Sequence, residues 1–240
     1  METVEARLAK AREALAGVQR RVGTTRERWE APVLPLAPVL DQVLPEGLRR
    51  GRVVAVDGST SLLLALAAEA SRAGAWTAFV GLPSVGVVAA ARRGIDLDRV
   101  AAIPHPGAHA AAVAGACVEG MELVLLGTGL ALSDADRRRL ASRARERGAV
   151  LLCQGRWPGA HATVTALRSR WHGLGAGDGR LRGRDLTVQV EGRNAGAPRF
   201  VTVPLDGEAP LLGRGGAPGR AAARVSSGAS AGRRALGGAA

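Results

Sequence analysis

The chain has 240 residues, 47% of them hydrophobic, which suits one domain with extensions and excludes a chain unable to bury a core. Its formal net charge of +12 favours polyanionic partners, nucleic acid first, although the codon bias of a GC-rich genome would give the same abundance of Ala, Gly and Arg. No apolar run approaches the roughly 20 residues needed to span a bilayer, and the charged start lacks the apolar region of a signal peptide. We therefore expect a soluble, cytoplasmic protein.

The cysteines and histidines indicate neither a disulfide framework nor a metal site. Cys117 and Cys153 stand in apolar surroundings without CxxC spacing, which is typical of reduced core residues. His105 and His109 are four residues apart, but the Pro-Gly pair between them argues against a shared helical face. We therefore predict no metal site and no cofactor.

An amphipathic helix is predicted at residues 1–29. Its apolar positions are spaced by four and three residues and form one narrow stripe, typical of a helix that docks on another surface: Val4, Leu8, Ala11, Leu15, Val18 and Val22. That surface belongs either to the chain's own domain or to a partner, and the candidate partner contacts are Val4, Leu8, Leu15 and Val18. Residues 30–47 follow as a Pro-rich linker, because Pro32, Pro35, Pro38 and Pro45 prevent a continuous helix.

Strands and helices alternate within residues 48–206, the predicted α/β core. Apolar strands are predicted at Val53–Val56, Trp76–Val80, Val100–Ile103, Glu122–Leu126 and Val150–Cys153. Helices are predicted at Ser61–Arg72, Ser84–Arg93 and Ala108–Glu119, and from a capping-box pattern at Ser133 and Asp136 to Arg147. This alternation favours a mainly parallel sheet flanked by helices on both faces. Alternating patterns at Ser169–Leu174, Asp185–Glu191 and Arg199–Leu205 then predict antiparallel hairpins, with Asn194–Gly196 as a turn.

Residues 207–240 are predicted to form a disordered basic tail. The segment consists mostly of Gly, Ala, Ser and Arg and cannot bury a core. Its arginines are candidates for contact with a partner: Arg214, Arg220, Arg224, Arg233 and Arg234.

The segment from Val53 to Leu66 has the strand-turn-helix layout of a phosphate-binding loop. A functional loop needs a longer glycine-rich stretch and a Lys that reaches the outer phosphates. Here Ser59 stands at the Lys position, and the chain's only Lys is Lys10. Only Gly58, Ser59, Thr60 and Ser61 remain of such a phosphate-binding loop. The favoured role of the two serines is to cap the helix that follows.

Two groups of arginines are candidate nucleic-acid surfaces, with a solvated basic face as the alternative. One group follows the predicted helix that ends at Arg147, and the other lies near the predicted hairpins. The candidates in and between them are Arg137, Arg138, Arg156, Arg168, Arg170 and Arg182. Each arginine placed on a phosphate would make binding salt-sensitive. Trp157 and Trp171 belong either in the core or beneath a stacked base.

Three motifs, in order along the chain, carry a resemblance to the RecA core. Leu44–Arg52, with the sequence LPEGLRRGR, resembles the segment that leads into the first RecA strand. Trp76–Val80 and the later GIDLD at residues 94–98 are similar to the next RecA strand and the acidic motif after its helix. Arg182–Phe200 resembles the RecA hairpin and its turn. The resemblance covers residues 44–206.

This resemblance implies catalytic elements that the chain lacks. Gly81–Ser84 stands where RecA keeps its catalytic Glu, and Gly127 stands where RecA has the Asp associated with Mg²⁺. Gln154 matches the glutamine that senses the terminal phosphate of the nucleotide. Both DNA-binding loops are reduced.

A RecA-like core with these losses, an N-terminal helix and a basic tail resembles the ImuA family, specifically its actinobacterial branch. The resemblance implies a non-catalytic accessory or adaptor protein in DNA-damage-induced, error-prone translesion synthesis. It implies two partners, an ImuB-type inactive Y-family polymerase and a mutagenic DnaE-type polymerase. Two alternatives stay open: a basic protein that acts directly on single- or double-stranded DNA, and a RecA-type ATPase.

Overall fold

A computed structural model describes residues 33–175, 178–192 and 196–206. The predicted N-terminal helix and basic tail lie outside these residues. With them lie the candidate partner contacts Val4, Leu8, Leu15, Val18, Arg214, Arg220, Arg224, Arg233 and Arg234. Most of the predicted turn at 194–196 also lies outside the described residues.

The described residues form an α/β fold around one eight-stranded sheet. In chain order the strands are β1 (Val53–Asp57), β2 (Thr77–Val80), β3 (Val100–Ile103), β4 (Leu123–Leu126), β5 (Val150–Gln154), β6 (Ala162–Leu174), β7 (Gly179–Gly192) and β8 (Arg199–Asp206). The spatial order is β3-β2-β4-β5-β1-β6-β7-β8. Pairing is parallel from β3 to β6 and antiparallel between β6, β7 and β8, as the sequence predicted.

Helices flank the parallel part of the sheet: α1 (Thr60–Arg72), α2 (Val87–Arg92), α3 (Ala110–Gly120) and α4 (Asp134–Arg147). The predicted capping box at the start of α4 is confirmed. The Ser133 hydroxyl accepts a hydrogen bond from the Asp136 N–H at 3.2 Å, and the Asp136 carboxylate accepts one from the Ser133 N–H at 3.1 Å. The hydrogen bond from the Ser133 hydroxyl is the main cause of a lowered pKa at Asp136.

Two hydrophobic cores lie on opposite faces of the sheet. On one face, Leu62 and Leu66 of α1 pack with Val54 and Val56 of β1. On the other face, Val53 of β1 packs with residues of α3 and α4. Alternate residues of β1 therefore serve different cores, because side chains along a strand point alternately to the two faces. The doubly covered parallel sheet is confirmed.

The Pro-rich segment contributes to the first of these cores. Leu34, Leu40, Val43 and Leu44 are buried there, although the sequence indicated a linker over residues 30–47. A short antiparallel bridge joins Leu34 to Leu48. Prolines prevent a continuous helix in this segment, and only the 3-10 turn Pro38–Leu40 forms there, but the prolines do not prevent the apolar side chains from packing.

The hairpin strands are longer than the sequence indicated, and two predicted starts were wrong. β6 begins at Ala162 rather than Ser169, because Ala162–Thr165 pair in parallel with Val54–Asp57 of β1. β7 begins at Gly179 rather than Asp185. Its first residues are mostly Gly and Arg, which have low intrinsic preference for strands, and pairing with β6 holds them extended.

Candidate functional site

The candidate site lies at the carboxyl edge of the parallel strands, where ligands bind in open α/β sheets. Four segments meet there: the turn after β1, Gly81 and Leu82 after β2, Gly127 after β4, and Gln154 at the end of β5. These are the positions at which the RecA resemblance implies nucleotide chemistry.

The hydroxyl groups at the turn after β1 form hydrogen bonds with other groups of the protein. The Ser59 hydroxyl caps α1 by accepting a hydrogen bond from the Leu62 N–H at 3.2 Å. It also accepts one from the Arg184 guanidinium at 3.2 Å, and burial lowers the pKa of that arginine. The Gln154 amide donates to the Thr60 hydroxyl at 2.9 Å. Groups that would face a phosphate in a functional loop therefore bind each other.

The main chain of β6 limits the size of this turn. Gly58 has φ of +76°, a conformation that favours glycine, and a Cβ at Gly58 would lie 3.2 Å from the carbonyl oxygen of Ala166. Asp57, immediately before the turn, pairs with Thr165 of β6. An anion on this side would also face the Asp57 carboxylate. The arrangement favours a structural role for Gly58, Ser59 and Thr60; for Ser61 the structure records no side-chain hydrogen bond.

At Gly127, where the RecA resemblance implies an Asp that binds Mg²⁺, the backbone is closely packed. The Gly127 N–H donates to the carbonyl oxygen of Val80 at 2.9 Å, which ties the end of β4 to the end of β2. A Cβ at Gly127 would overlap the carbonyl oxygen of Gly81. The buried Leu130 side chain in turn covers Gly81. An aspartate at residue 127 is therefore excluded unless the backbone after β2 moves.

A small cavity of about 180 Å³ lies beside this packing, at the ends of β4 and β5. Arg137 and Arg156, two of the predicted nucleic-acid contacts, line it together with Gln154. The Arg137 guanidinium lies 5.0 Å from the ring centre of Trp157, which is buried. None of the residues that line this cavity is Asp or Glu. Such a lining suits a small anion rather than a metal ion.

The described cysteines, histidines and carboxylates form no candidate metal site. Within the described ranges, no group of three or more His, Cys, Asp or Glu is arranged to hold a metal ion. Cys117 and Cys153 are free and buried, as predicted, and burial raises the pKa of both thiols.

A larger cavity, about 330 Å³, lies at the opposite edge near the start of β1 and is lined by Val43, Leu44 and Arg52 among others.

The two predicted arginine groups differ in their surroundings. On α4, Arg139 pairs with Asp136, Arg143 and Arg147 pair with Glu119, and Arg137 lies over Trp157. Only Arg138 and Arg145 of that helix lack a partner among the described residues. The arginines of β6 and β7 are freer, since Arg168, Arg170, Arg180 and Arg182 have no partner within the described ranges. Trp171, on the same hairpin, is half exposed.

Sequence reasoning missed two residues that define the site. Leu130 fills the space over Gly81, and the only signal for it is one Leu in a Gly-containing loop after a buried strand. Arg184 contacts Ser59 across a separation of 125 residues, which no local pattern encodes. Sequence grouped Arg184 only with its basic neighbours.

Part of the chain is similar to known proteins. Residues 42–159 match the family described as MT3502 N-terminal domain. Over 124 residues the chain is 40% identical to the uncharacterized protein Rv3395c of Mycobacterium tuberculosis, a match that covers 51% of this chain and 61% of that protein. These residues fit an actinobacterial protein family. The match spans about three-fifths of the relative's length, so it does not extend to the whole of that protein. No helix within the described ranges is long and apolar enough to cross a membrane.

Replacing Gly127 with Ala should destabilise the protein by about 1–3 kcal/mol, the usual range for an overpacked interior, because the new Cβ overlaps the Gly81 carbonyl oxygen. Gly129→Ala is the matched control, since a Cβ there meets nothing within 4 Å. Both changes restrict the unfolded chain alike, so urea unfolding of the pair isolates the packing difference. Equal stabilities would contradict the closed packing.

Replacing Ser59 with Ala should cost about 0.5–2 kcal/mol, the usual range for a lost helix cap, because the Leu62 N–H loses its acceptor. Ser61→Ala, at the second residue of α1, removes no recorded side-chain hydrogen bond and should leave the free energy of unfolding nearly unchanged. Thermal unfolding of both variants measures the difference. A neutral Ser59→Ala would show that the cap contributes nothing.

Proposed function

We propose that this protein is a non-catalytic RecA-like accessory or adaptor in DNA-damage-induced, error-prone translesion synthesis, as an ImuA-type protein. Its proposed partners are an ImuB-type inactive Y-family polymerase and a mutagenic DnaE-type polymerase. The observation that carries the non-catalytic part is the closed packing of Gly127 against Gly81, at the position where a nucleotide-hydrolysing relative needs a carboxylate.

Phosphoryl transfer depends on positioning and charge stabilisation by a loop Lys, Mg²⁺ and a residue that orients the attacking water. At this site Ser59 holds the Lys position, and its hydroxyl is committed to Leu62 and Arg184. Gln154 donates to Thr60, so its amide is directed at the protein rather than at a terminal phosphate. Each element needed for hydrolysis is thus replaced by an internal contact.

The adaptor part of the proposal rests on what the fold retains. The sheet and both cores are intact in the described residues, although the catalytic positions are altered. A scaffold without turnover that keeps its packing is suited to holding other proteins. The similarity to an actinobacterial family agrees with the branch to which the sequence motifs point.

Purified full-length protein should hydrolyse ATP no faster than a protein-free control, because the chain's single Lys is Lys10 and the lining beside Gln154 holds no carboxylate. A phosphate-release assay with and without Mg²⁺ measures this. Ser59→Ala and Thr60→Ala should leave the background unchanged. Turnover that either variant abolishes would support the ATPase alternative instead.

The full chain should co-purify with the two proposed polymerase-type partners from DNA-damaged actinobacterial cells, as identified by mass spectrometry. Removing residues 207–240, which hold Arg214, Arg220 and three further arginines, should weaken recruitment without lowering the thermal unfolding temperature. A variant with these arginines changed to Gln shows whether the loss of recruitment comes from the missing positive charge or from the missing length of chain. Unchanged recruitment would remove the tail from the proposal, and absence of both polymerases would contradict the adaptor function.

A further inference from the structure

The end of the β6–β7 hairpin projects as an exposed arm. We define the arm as residues 168–174 of β6 and residues 179–185 of β7. Every described side chain of the arm is exposed or half exposed, and no buried residue falls within it. The hydrophobic cores include Leu186 and Val188, which follow the arm on β7, but none of the arm's residues. The arm is therefore a surface feature rather than a part of either core.

The arm carries positive charge that the described residues do not neutralise. Arg168, Arg170, Arg180 and Arg182 make no ion pair, hydrogen bond or ring contact within the described ranges. Of the nearby acids, Asp185 is already held by His172, whose ring nitrogen lies 2.8 Å from the carboxylate. On α4, by contrast, Arg139, Arg143 and Arg147 are paired with carboxylates. The arginines of the arm can therefore bind an anion, whereas most arginines of α4 already contact a carboxylate or an aromatic ring.

An aromatic ring stands among these charges in a fixed position. Trp171 is 53% exposed, and the Arg184 guanidinium lies 5.3 Å from its ring centre. Arg184 is itself anchored, since it donates to the Ser59 hydroxyl at the start of α1. The body of the protein therefore supports the ring through Arg184, and about half of the ring's surface stays open to solvent.

This combination suits a single nucleic-acid strand better than a duplex or an acidic peptide. An open ring can stack on a base only where bases are unpaired, since duplex bases stack on each other. Arg184 lies opposite Trp171 in the register, so Arg182, two residues away on β7, lies on the face of the ring. The two arginines are roughly 6.6 Å apart along the strand, a spacing comparable to that of successive phosphates on an extended single strand. Carboxylates of a peptide would satisfy the arginines but would leave the ring without a stacking partner.

We infer that the arm binds single-stranded nucleic acid, with a base stacked on Trp171 and backbone phosphates held by Arg182 on the face of the ring and by Arg180 beside it. The site is separate from the altered nucleotide positions, and it stands whether or not the protein serves as an adaptor.

The test measures binding of fluorescein-labelled oligothymidine to the full chain by anisotropy over a series of salt concentrations. The double variant Arg180→Gln/Arg182→Gln should reduce the magnitude of the log–log salt slope by about 1.4, because each phosphate contact on a single strand contributes about 0.7. Trp171→Ala should weaken binding roughly 5- to 150-fold, the range for loss of one base stack, and Trp171→Phe should restore much of it. Labelled oligouridine in parallel distinguishes DNA from RNA as the source of the strand.

The matched control is Arg138→Gln/Arg145→Gln on α4, which removes the same charge from two exposed arginines that have no partner in the described part of the chain. Because residues 207–240 carry further arginines, the decisive quantity is the difference between the two double variants. Equal slopes for both would overturn the inference in favour of diffuse charge. Tighter binding of duplex DNA or of polyglutamate, or full affinity in Trp171→Ala, would overturn it as well.

Discussion

The parallel pairing of β1 with β6 is the interaction on which the rest of the structure depends. Val54–Asp57 pair with Ala162–Thr165, and this ladder joins the doubly covered parallel sheet to the antiparallel hairpins. It brings Ala166 against Gly58, and it carries β7 to the position from which Arg184 reaches Ser59. One ladder therefore sets both the size of the turn after β1 and the support of the exposed arm.

The packing of the candidate site explains why glycine suits the end of β4. A carboxylate after β4 would need space, water and a cation, because a buried unpaired charge is costly. Gly127 needs none of these, and it allows the Gly81 backbone and Leu130 to close over the strand end. Hydrogen bonds from Gln154 and Arg184 then satisfy the hydroxyls of the turn. The hydroxyls of Ser59 and Thr60 are thereby paired within the protein, whereas the buried Nε of Arg184 has no hydrogen-bond partner among the described residues.

Local patterns in the sequence predicted the parallel strands and the capping box, because apolar runs and the Ser133–Asp136 pair encode those elements directly. The shortened turn at Gly58 and the missing carboxylate at Gly127 were implied by the resemblance to RecA and stay predictions. The early start of β6 was missed, since Ala162–Thr165 extend only because β1 lies beside them. The burial of Leu40 and Val43 was missed for the same kind of reason. Contacts such as Arg184 with Ser59 depend on the completed sheet, so no short stretch of sequence could reveal them.

The hydrogen bond between Gln154 and Thr60 has a consequence for how such a molecule is controlled. In a nucleotide-driven machine, the occupant of this edge alternates, and each occupant stabilises a different arrangement of the surrounding loops. A ligand can shift a conformational equilibrium only through a difference in affinity for the two arrangements. Here the protein's own amide donates to the Thr60 hydroxyl. A ligand that entered this edge would have to break that hydrogen bond, so its affinity would be lowered by the free energy of displacing the Gln154 amide.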